Sequence, residues 1–268
     1  MKKFLIYIMA AAMTVSLFGC GEKTGSGEEG SGKPSEVSGA SVTTELIAED
    51  VNGYDVTVYD SVLEYYYNIL AGNTPFSFDD EEYHNNYDRL GWLYDAMKIE
   101  DVDERLNTYG YKIMNLTRDE TPELIIGTFP TMIEYSEASP VMNIYTVKDG
   151  EPYFIAGGGG NDRLFIINDD SIFFTGSDGE DFYYYGRYIF SFDGTGKLWR
   201  DYYYSAESEN GKLGYYYNTV GGPGLAWSER ITQAKYDVNS LSDNIQSRLV
   251  YIDFNLFSTL SGRYEKAD

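Results

Sequence analysis

Read only for apolar and polar positions, the chain changes period once. Over residues 56–75, VTVYDSVLEYYYNILAGNTP, the residues Tyr59, Val62, Leu63, Tyr66, Ile69 and Leu70 recur at intervals of three and four, the spacing that lines one face of a helix. Gly72, Asn73 and Pro75 then supply a stop. NNYDRLGWLYDAMKIE, residues 85–100, repeats the spacing at Tyr87, Leu90, Tyr94 and Met97, which predicts a second helix with Gly91 as its weak point. From about Gly110 the period shortens. YKIMNL, ELIIGT, VMNIYTV, PYFIA, RLFIIN, SIFFTG, FYYYGRYIFSF and KLWRDYYY are short runs rich in β-branched and aromatic residues, each predicted to be a strand. Asp149-Gly150, Asp169-Asp170, Asp178-Gly179, Asp193-Gly194 and Asn210-Gly211 punctuate this region, and several are pairs that favour tight hairpins because they tolerate positive φ.

The pattern predicts an α+β fold in which N-terminal helices are followed by an antiparallel β-meander, either an open sheet or a propeller-like one. Tyr188, Phe190 and Phe192 alternate with Arg187, Ile189 and Ser191, as on a sheet with one face more buried than the other. The turn pairs are 20, 9, 15 and 17 residues apart, so no complete propeller or solenoid is expected. SLSDNIQSRL and YIDFNLF near the end read as a short helix and then a strand. The organisation that follows is a helical part over residues 46–106 and a β part over 107–268.

The first 45 residues follow different rules. Lys2 and Lys3, an apolar run from Phe4 to Phe18 and Gly19 have the three parts of an export signal over residues 1–19. The run is shorter than the roughly 20 apolar residues a spanning helix needs. Leu17-Phe18-Gly19-Cys20 resembles the lipobox of bacterial lipoproteins. That resemblance implies removal of the signal and a diacylglyceryl group on the thiol of Cys20, with Phe18 departing from the usual small residue. Cys20 is the single cysteine of the chain, so no internal disulfide can form, and a cysteine nucleophile elsewhere is excluded. Residues 20–45 are rich in Gly, Ser and Glu and cannot bury enough apolar surface to fold. They are expected to act as a tether with a root-mean-square reach of roughly 25–30 Å. The expected location is therefore extracytoplasmic, on the membrane through lipidated Cys20.

Charge narrows the partners. Removing residues 1–19 takes two lysines and no acid, so the 20 basic and 43 acidic residues become 18 and 43, a net charge of −25. Such a surface repels nucleic acid and anionic lipid and favours cationic partners or divalent ions.

MNLTRDETPELIIGT, residues 114–128, has the outline of a calcium loop with acidic side chains at alternate positions. Calcium takes roughly six to eight oxygens, which such spacing directs inward. The candidate ligands are Asn115, Thr117, Asp119, the carbonyl of Thr121, and Glu123. Three features weaken the site: Thr117 is short, Arg118 adds a positive charge, and Glu120 stands where a glycine would permit a left-handed backbone at lower cost. The other reading is a strand-turn-strand corner that sends Leu124, Ile125 and Ile126 into the core. No other cofactor is predicted.

YKIMNLTRDETPELIIGT, followed by NIYTVKDG and RLFIINDDSIFF, resembles a class of bacterial lipoproteins that join an N-terminal helical part to a β-region. More distantly, its loop is similar to the Asp-x-Asp-x-Asp-Gly-x-Pro-Glu-Leu turns of FG-GAP and VCBS repeats, which build calcium-bearing propellers. The resemblance covers about residues 55–205 and implies architecture rather than activity.

Signatures of catalysis are sparse. His84 is the one histidine, which rules out an HExxH zinc helix, and no G-x-S-x-G elbow accompanies it. Its acidic, polar surroundings predict a surface residue. The clusters Gly157–Gly160 and Gly221–Gly224 lack dinucleotide spacing and read as loops between strands. Among 43 acids no carboxylate pair can be singled out. Tyrosine is the oddity, with 27 copies and triplets at 65–67, 183–185, 202–204 and 215–217. Exposed tyrosines offer rigid amphipathic contact area, and Tyr183, Tyr185, Tyr202, Tyr204, Tyr215 and Tyr217 are the candidate ligand-binding residues. The expected role is a non-catalytic binding or assembly module for a glycan, a peptide or a cationic partner. Its alternatives are an extracellular carboxylate-dependent hydrolase, such as a glycosidase, and a structural domain with vestigial calcium binding.

Overall fold

A computed structural model describes residues 56–117, 121–129, 138–167, 171–178, 182–191, 196–207, 211–222, 228–239, 245 and 247–264, all within the compact unit Glu45–Asp268. The expected signal, Cys20 and the tether lie outside the described residues, as do Asp119 with its neighbours Arg118 and Glu120. Among the described residues no helix is long and apolar enough to cross a membrane.

The first predicted helix forms as α1, Asp60–Leu70, entered through a 3-10 turn at Val56–Tyr59. Its apolar face buries Tyr59, Leu63, Tyr66, Ile69 and Leu70 as the spacing requires, and Tyr67 as well. Gly72 ends it with φ of 77°. A short helix, α2 (Glu81–Asn85), precedes the second predicted helix, which is instead two short ones, α3 (Tyr87–Leu90) and α4 (Leu93–Ala96). Leu90, Trp92, Leu93 and Ala96 are buried, while Tyr87 and Tyr94 are exposed. The backbone stays helical through Gly91 and Trp92; Leu90 and Met97 of the predicted face meet the core, whereas Tyr87 and Tyr94 lie at its solvent edge. His84 is exposed, as expected.

A further helix, α5 (Val102–Thr108), has no strong apolar stripe and is set by its ends. The Asp101 carboxylate accepts from the Glu104 backbone N–H at 2.8 Å, satisfying one orphan donor of the first turn. Arg105 is buried and donates from Nε to the Leu70 carbonyl at 2.5 Å and from Nη1 to the Ile99 carbonyl at 3.0 Å. A cation thus stands at the negative end of α1 and ties α5 to it.

Among the described residues eleven strands form one hydrogen-bonded sheet, all antiparallel: β1 (Tyr109–Met114), β2 (Glu123–Thr128), β3 (Val141–Lys148), β4 (Glu151–Gly157), β5 (Arg163–Ile166), β6 (Ile172–Ser177), β7 (Tyr183–Phe190), β8 (Lys197–Glu207), β9 (Leu213–Asn218), β10 (Glu229–Ile231) and β11 (Asn255–Leu256). The order is β10-β9-β8-β7-β6-β5-β3-β2-β1-β11, with β4 also on β3. This is the open-sheet form of the expected meander. Each of the five predicted turn pairs falls between strands that are hydrogen-bonded neighbours. At the β3–β4 turn Asp149 and Gly150 have φ of 55° and 83°, the left-handed pair that a two-residue hairpin demands. The short helix expected from Ser240 lies mostly outside the described residues; α6 occupies Gln233–Asn239 before it, and β11 lies within the predicted YIDFNLF strand.

Strand β2 is buried at every position, which places cores on both sides of it. Leu124 and Ile126 meet α1, Trp92 and Tyr145 on the helix side, whereas Ile125 joins Ile144, Leu164, Ile252 and Phe254 on the other. The C-terminal segment passes between these cores. Val250 donates to the Ile166 carbonyl and Ile252 to Ser139 Oγ, then β11 pairs with β1. Beyond it Phe257 and Leu260 are buried on the helix side, and α7 (Ser261–Tyr264) brings Arg263 to an ion pair with Asp60.

Buried tyrosines make this fold alkali-sensitive. Burial pushes Tyr109 and Tyr145 up to about 12, against about 10 in an unfolded chain. A raised pKa contributes stability fully below about pH 10 that is lost as pH climbs toward about 12, on the order of 2–3 kcal/mol per group. Denaturant unfolding measured across that window should show the loss, and Tyr109→Phe should make it shallower.

Candidate functional site

The sheet face on the side of α3 carries a cleft of about 510 Å³, within the roughly 300–1,000 Å³ of small-molecule sites. Its aromatic lining is Tyr87, Phe174, Phe182, Tyr184, Trp199 and Tyr202, and its polar lining includes Asn161, Asp162, Ser177 and Asp178. Four of these rings, Phe174, Tyr184, Trp199 and Tyr202, come from three adjacent strands. Phe174 of β6 and Tyr184 of β7 are stacked at 5.3 Å and 24°, and Tyr184 and Tyr202 of β8 lie at 6.4 Å and 14°. Trp199 stands at 89° to Tyr202 and 72° to Phe174. Rings at right angles to one another present both faces and edges to a ligand.

Asp162 is held in place from several directions. Its backbone N–H donates to the Gly159 carbonyl, and the Tyr184 hydroxyl donates to Oδ1 at 2.5 Å. Burial raises the Asp162 carboxyl above the ordinary range, against the lowering effect of that hydrogen bond, and Asp88 nearby adds to the rise. Burial likewise raises the Tyr184 hydroxyl, with Asp162 second. The phenol therefore keeps its proton and donates it.

The glycines of the sequence explain how the cleft is assembled. Strands β4 and β5 share one edge of β3, with Asn143 paired to Gly157 and Val141 to Leu164, so the connection between them must turn at once and lie flat. A Cβ at Gly157 would overlap the Asp88 carbonyl, and one at Gly159 would come within 2.8 Å of the Gly91 carbonyl carbon. Gly160, with φ of 61°, lies against the Tyr87 hydroxyl. Gly157, Gly159 and Gly160 let this loop lie against α3 and the Gly91–Trp92 segment after it, which brings Asp162 and Tyr87 to one rim. On the far side Asn218 Oδ1 accepts from the Val220 and Gly221 N–H groups, which seats Gly221 against the Trp199 indole. On the floor, Gly176 and Gly186 leave room for Tyr184 and Trp199.

The six tyrosines singled out from the triplets do not share a face. Tyr184 pairs with Tyr204, and Tyr204 with Tyr216; Tyr185 pairs with Tyr203, and Tyr203 with Tyr217. Paired residues point the same way. Tyr202 and Tyr204 are therefore on the cleft face, the former in the lining. Tyr183, Tyr185, Tyr215 and Tyr217 are on the opposite face, where Tyr185 and Tyr215 each lie 4.9 Å from Tyr236 of α6. The outer members of each triplet would coincide only in a register shifted by one. A bulge between Arg187 and Tyr188 sets the observed register, and the Arg187 guanidinium holds Asp201 across it at 2.5 Å. Asn161, Asp162, Phe174, Tyr184 and Trp199 are not among the six tyrosines; Tyr184 and Trp199 lie within the tyrosine-bearing stretch Phe182–Tyr217 that the sequence marked, and Asn161 and Asp162 directly follow the Gly157–Gly160 cluster.

In the calcium-like loop, the described part centres on Glu123. Glu123 is fully buried. Its Oε2 accepts from the N–H groups of Leu116 and Thr117 at 2.6 and 3.2 Å, and Oε1 accepts from Thr117 Oγ1 at 2.7 Å and Thr146 Oγ1 at 3.3 Å. Asn115 is exposed, Thr121 is half-buried, and Asp119 lies outside the described residues. Among the described residues no group of three or more acidic, histidine or cysteine side chains has metal-binding geometry. Leu124, Ile125 and Ile126 all enter the core, as the strand-turn-strand reading predicts. Comparison with protein-family models, curated proteins and solved structures finds no match to this chain.

Proposed function

We propose that the protein is a lipid-anchored, extracytoplasmic binding module that takes a glycan in the aromatic cleft of its sheet. The observation that carries this reading is the combination in one concavity of Phe174, Tyr184, Trp199 and Tyr202 with Asn161, Asp162 and Ser177. A sugar ring has apolar C–H faces and a polar rim, and it needs ring faces and hydrogen-bonding groups side by side. The rings pack against one another and so hold their places before a ligand arrives, which reduces the entropy lost on binding. Lipidation of Cys20, membrane attachment and kinship with helical-plus-β lipoproteins belong to the same proposal and rest on the sequence features described first.

Calorimetric titration against a panel of neutral oligosaccharides and cell-wall fragments tests it. Trp199→Ala should weaken binding at least about tenfold, or about 1.4 kcal/mol, with the fold retained. A chain that binds no glycan in the panel, or a Trp199→Ala variant that binds as the parent does, would refute the reading.

One observation favours a second reading, a carboxylate-dependent hydrolase: Asp162 and Asp178 line the same cleft, and Asp162 has its carboxyl raised by burial, as a general acid requires. Release of new reducing ends that disappears in Asp178→Asn would establish it in place of simple binding.

A further inference from the structure

We infer that the cleft selects amine-bearing sugars, glucosamine-type units with a free amino group, over their neutral N-acetylated counterparts; this rests on the glycan reading above. The lining has two carboxylates, Asp162 and Asp178, and no lysine or arginine among its described residues. Two cations outside the lining, Arg163 and Lys197, stand near enough to act on Asp162, and each also has another partner. Arg163 donates from Nη1 to the carbonyls of Gly160 and Asp162 at 2.6 and 2.8 Å, and the Lys197 ammonium lies 5.3 Å from the centre of the Tyr188 ring.

Asp162 is the recognition group. Tyr184 occupies Oδ1, which fixes the carboxyl plane at the wall of a cavity that is also lined by six rings. An ionised carboxylate can only accept hydrogen bonds, and an ammonium group brings both donors and the opposite charge. Phe174, Tyr184, Trp199 and Tyr202 add the attraction of ring faces for a cation. Uronic acids, phosphates and sulfated sugars are disfavoured by the same two carboxylates and by the chain's net charge of −23. A sugar fits better than a basic peptide because rings spread across β6, β7 and β8 match the breadth of a pyranose, whereas a lysine stem would cover one of them.

The test titrates the full chain with glucosamine oligomers and with the same oligomers N-acetylated. The amine form is expected to bind at least about tenfold more tightly at about 0.01 M salt, and the advantage is expected to collapse at about 1 M, where the screening length falls from about 30 Å to about 3 Å. Asp162→Asn should erase the preference, the amine-bearing oligomer losing at least about tenfold more affinity than the N-acetylated one. Equal affinity for the two forms, or a preference that survives in Asp162→Asn, would overturn the inference and leave the glycan reading intact. Tighter binding of oligolysine than of the glucosamine oligomer would overturn it in favour of a basic peptide. If neither oligomer nor any other saccharide binds, both fall together.

Discussion

Glu123→Ala is expected to lower stability by about 3–5 kcal/mol, a fall in melting midpoint of roughly 10 °C or more for a domain of this size. The carboxylate is buried and gathers the N–H groups of Leu116 and Thr117 and the hydroxyls of Thr117 and Thr146. Alanine removes the acceptor but leaves the donors in place, and a buried donor without a partner costs its full desolvation. The β1–β2 connection and the β2–β3 pair are joined through this one side chain, so the loss should appear as cooperative unfolding. Glu123→Gln should cost less, because its amide oxygen can still accept from part of the set. Melting with millimolar calcium and with chelator separates this account from a metal site. The midpoint should be the same in both. A rise of many degrees with calcium, abolished by Glu123→Ala, would show that the carboxylate serves a cation.

Gly176→Val is expected to abolish saccharide binding while leaving the melting midpoint within a few degrees of the parent. Gly176 pairs with Tyr184 in the β6–β7 ladder, and a Cβ there would overlap Asp162 Oδ1 and come within 2.5 Å of Tyr184 Cε2. Both obstacles are side-chain ends. They can swing aside without moving a strand, and the direction open to them is the cleft. The 2.5 Å bond between Tyr184 and Asp162 should be lost with the shape of the floor. Valine also suits a strand better than glycine, which offsets part of the cost of crowding. A weakening of more than tenfold, with a cooperative melt like the parent's, is the expected result. Gly262→Ala, whose Cβ meets nothing within 4 Å, is the control. Undiminished binding by Gly176→Val would mean that the ligand does not contact this floor.

What could be read from the sequence was what depends on neighbours along the chain. The three-four spacing from Tyr59 to Leu70 specified α1, and the turn pairs marked hairpins correctly because positive φ is a local demand of Asp149 and Gly150. Short runs of β-branched and aromatic residues located eight strands. The second helix shows where this stops: the same spacing marked Tyr87 and Tyr94, which face solvent, and passed over Trp92, Leu93 and Ala96, which are buried.

The cleft belonged to the other category. Its acid comes from the β4–β5 loop, its rings from β6, β7 and β8, and its rim from α3, and nothing along the chain links them. Alternation told that each tyrosine triplet must divide between two faces, yet which members share a face depended on a single bulge at Arg187. A one-residue change of register reverses every side chain beyond it. The glycines from 157 to 160 read as a loop between strands, which they are, and only the contacts of Gly157, Gly159 and Gly160 with the segment from Tyr87 to Trp92 showed that they are the means of close approach. Local composition thus determined the kinds of element and the abundance of aromatic surface; register and long-range packing decided which of those rings surround Asp162, because both are properties of pairs of segments rather than of either one.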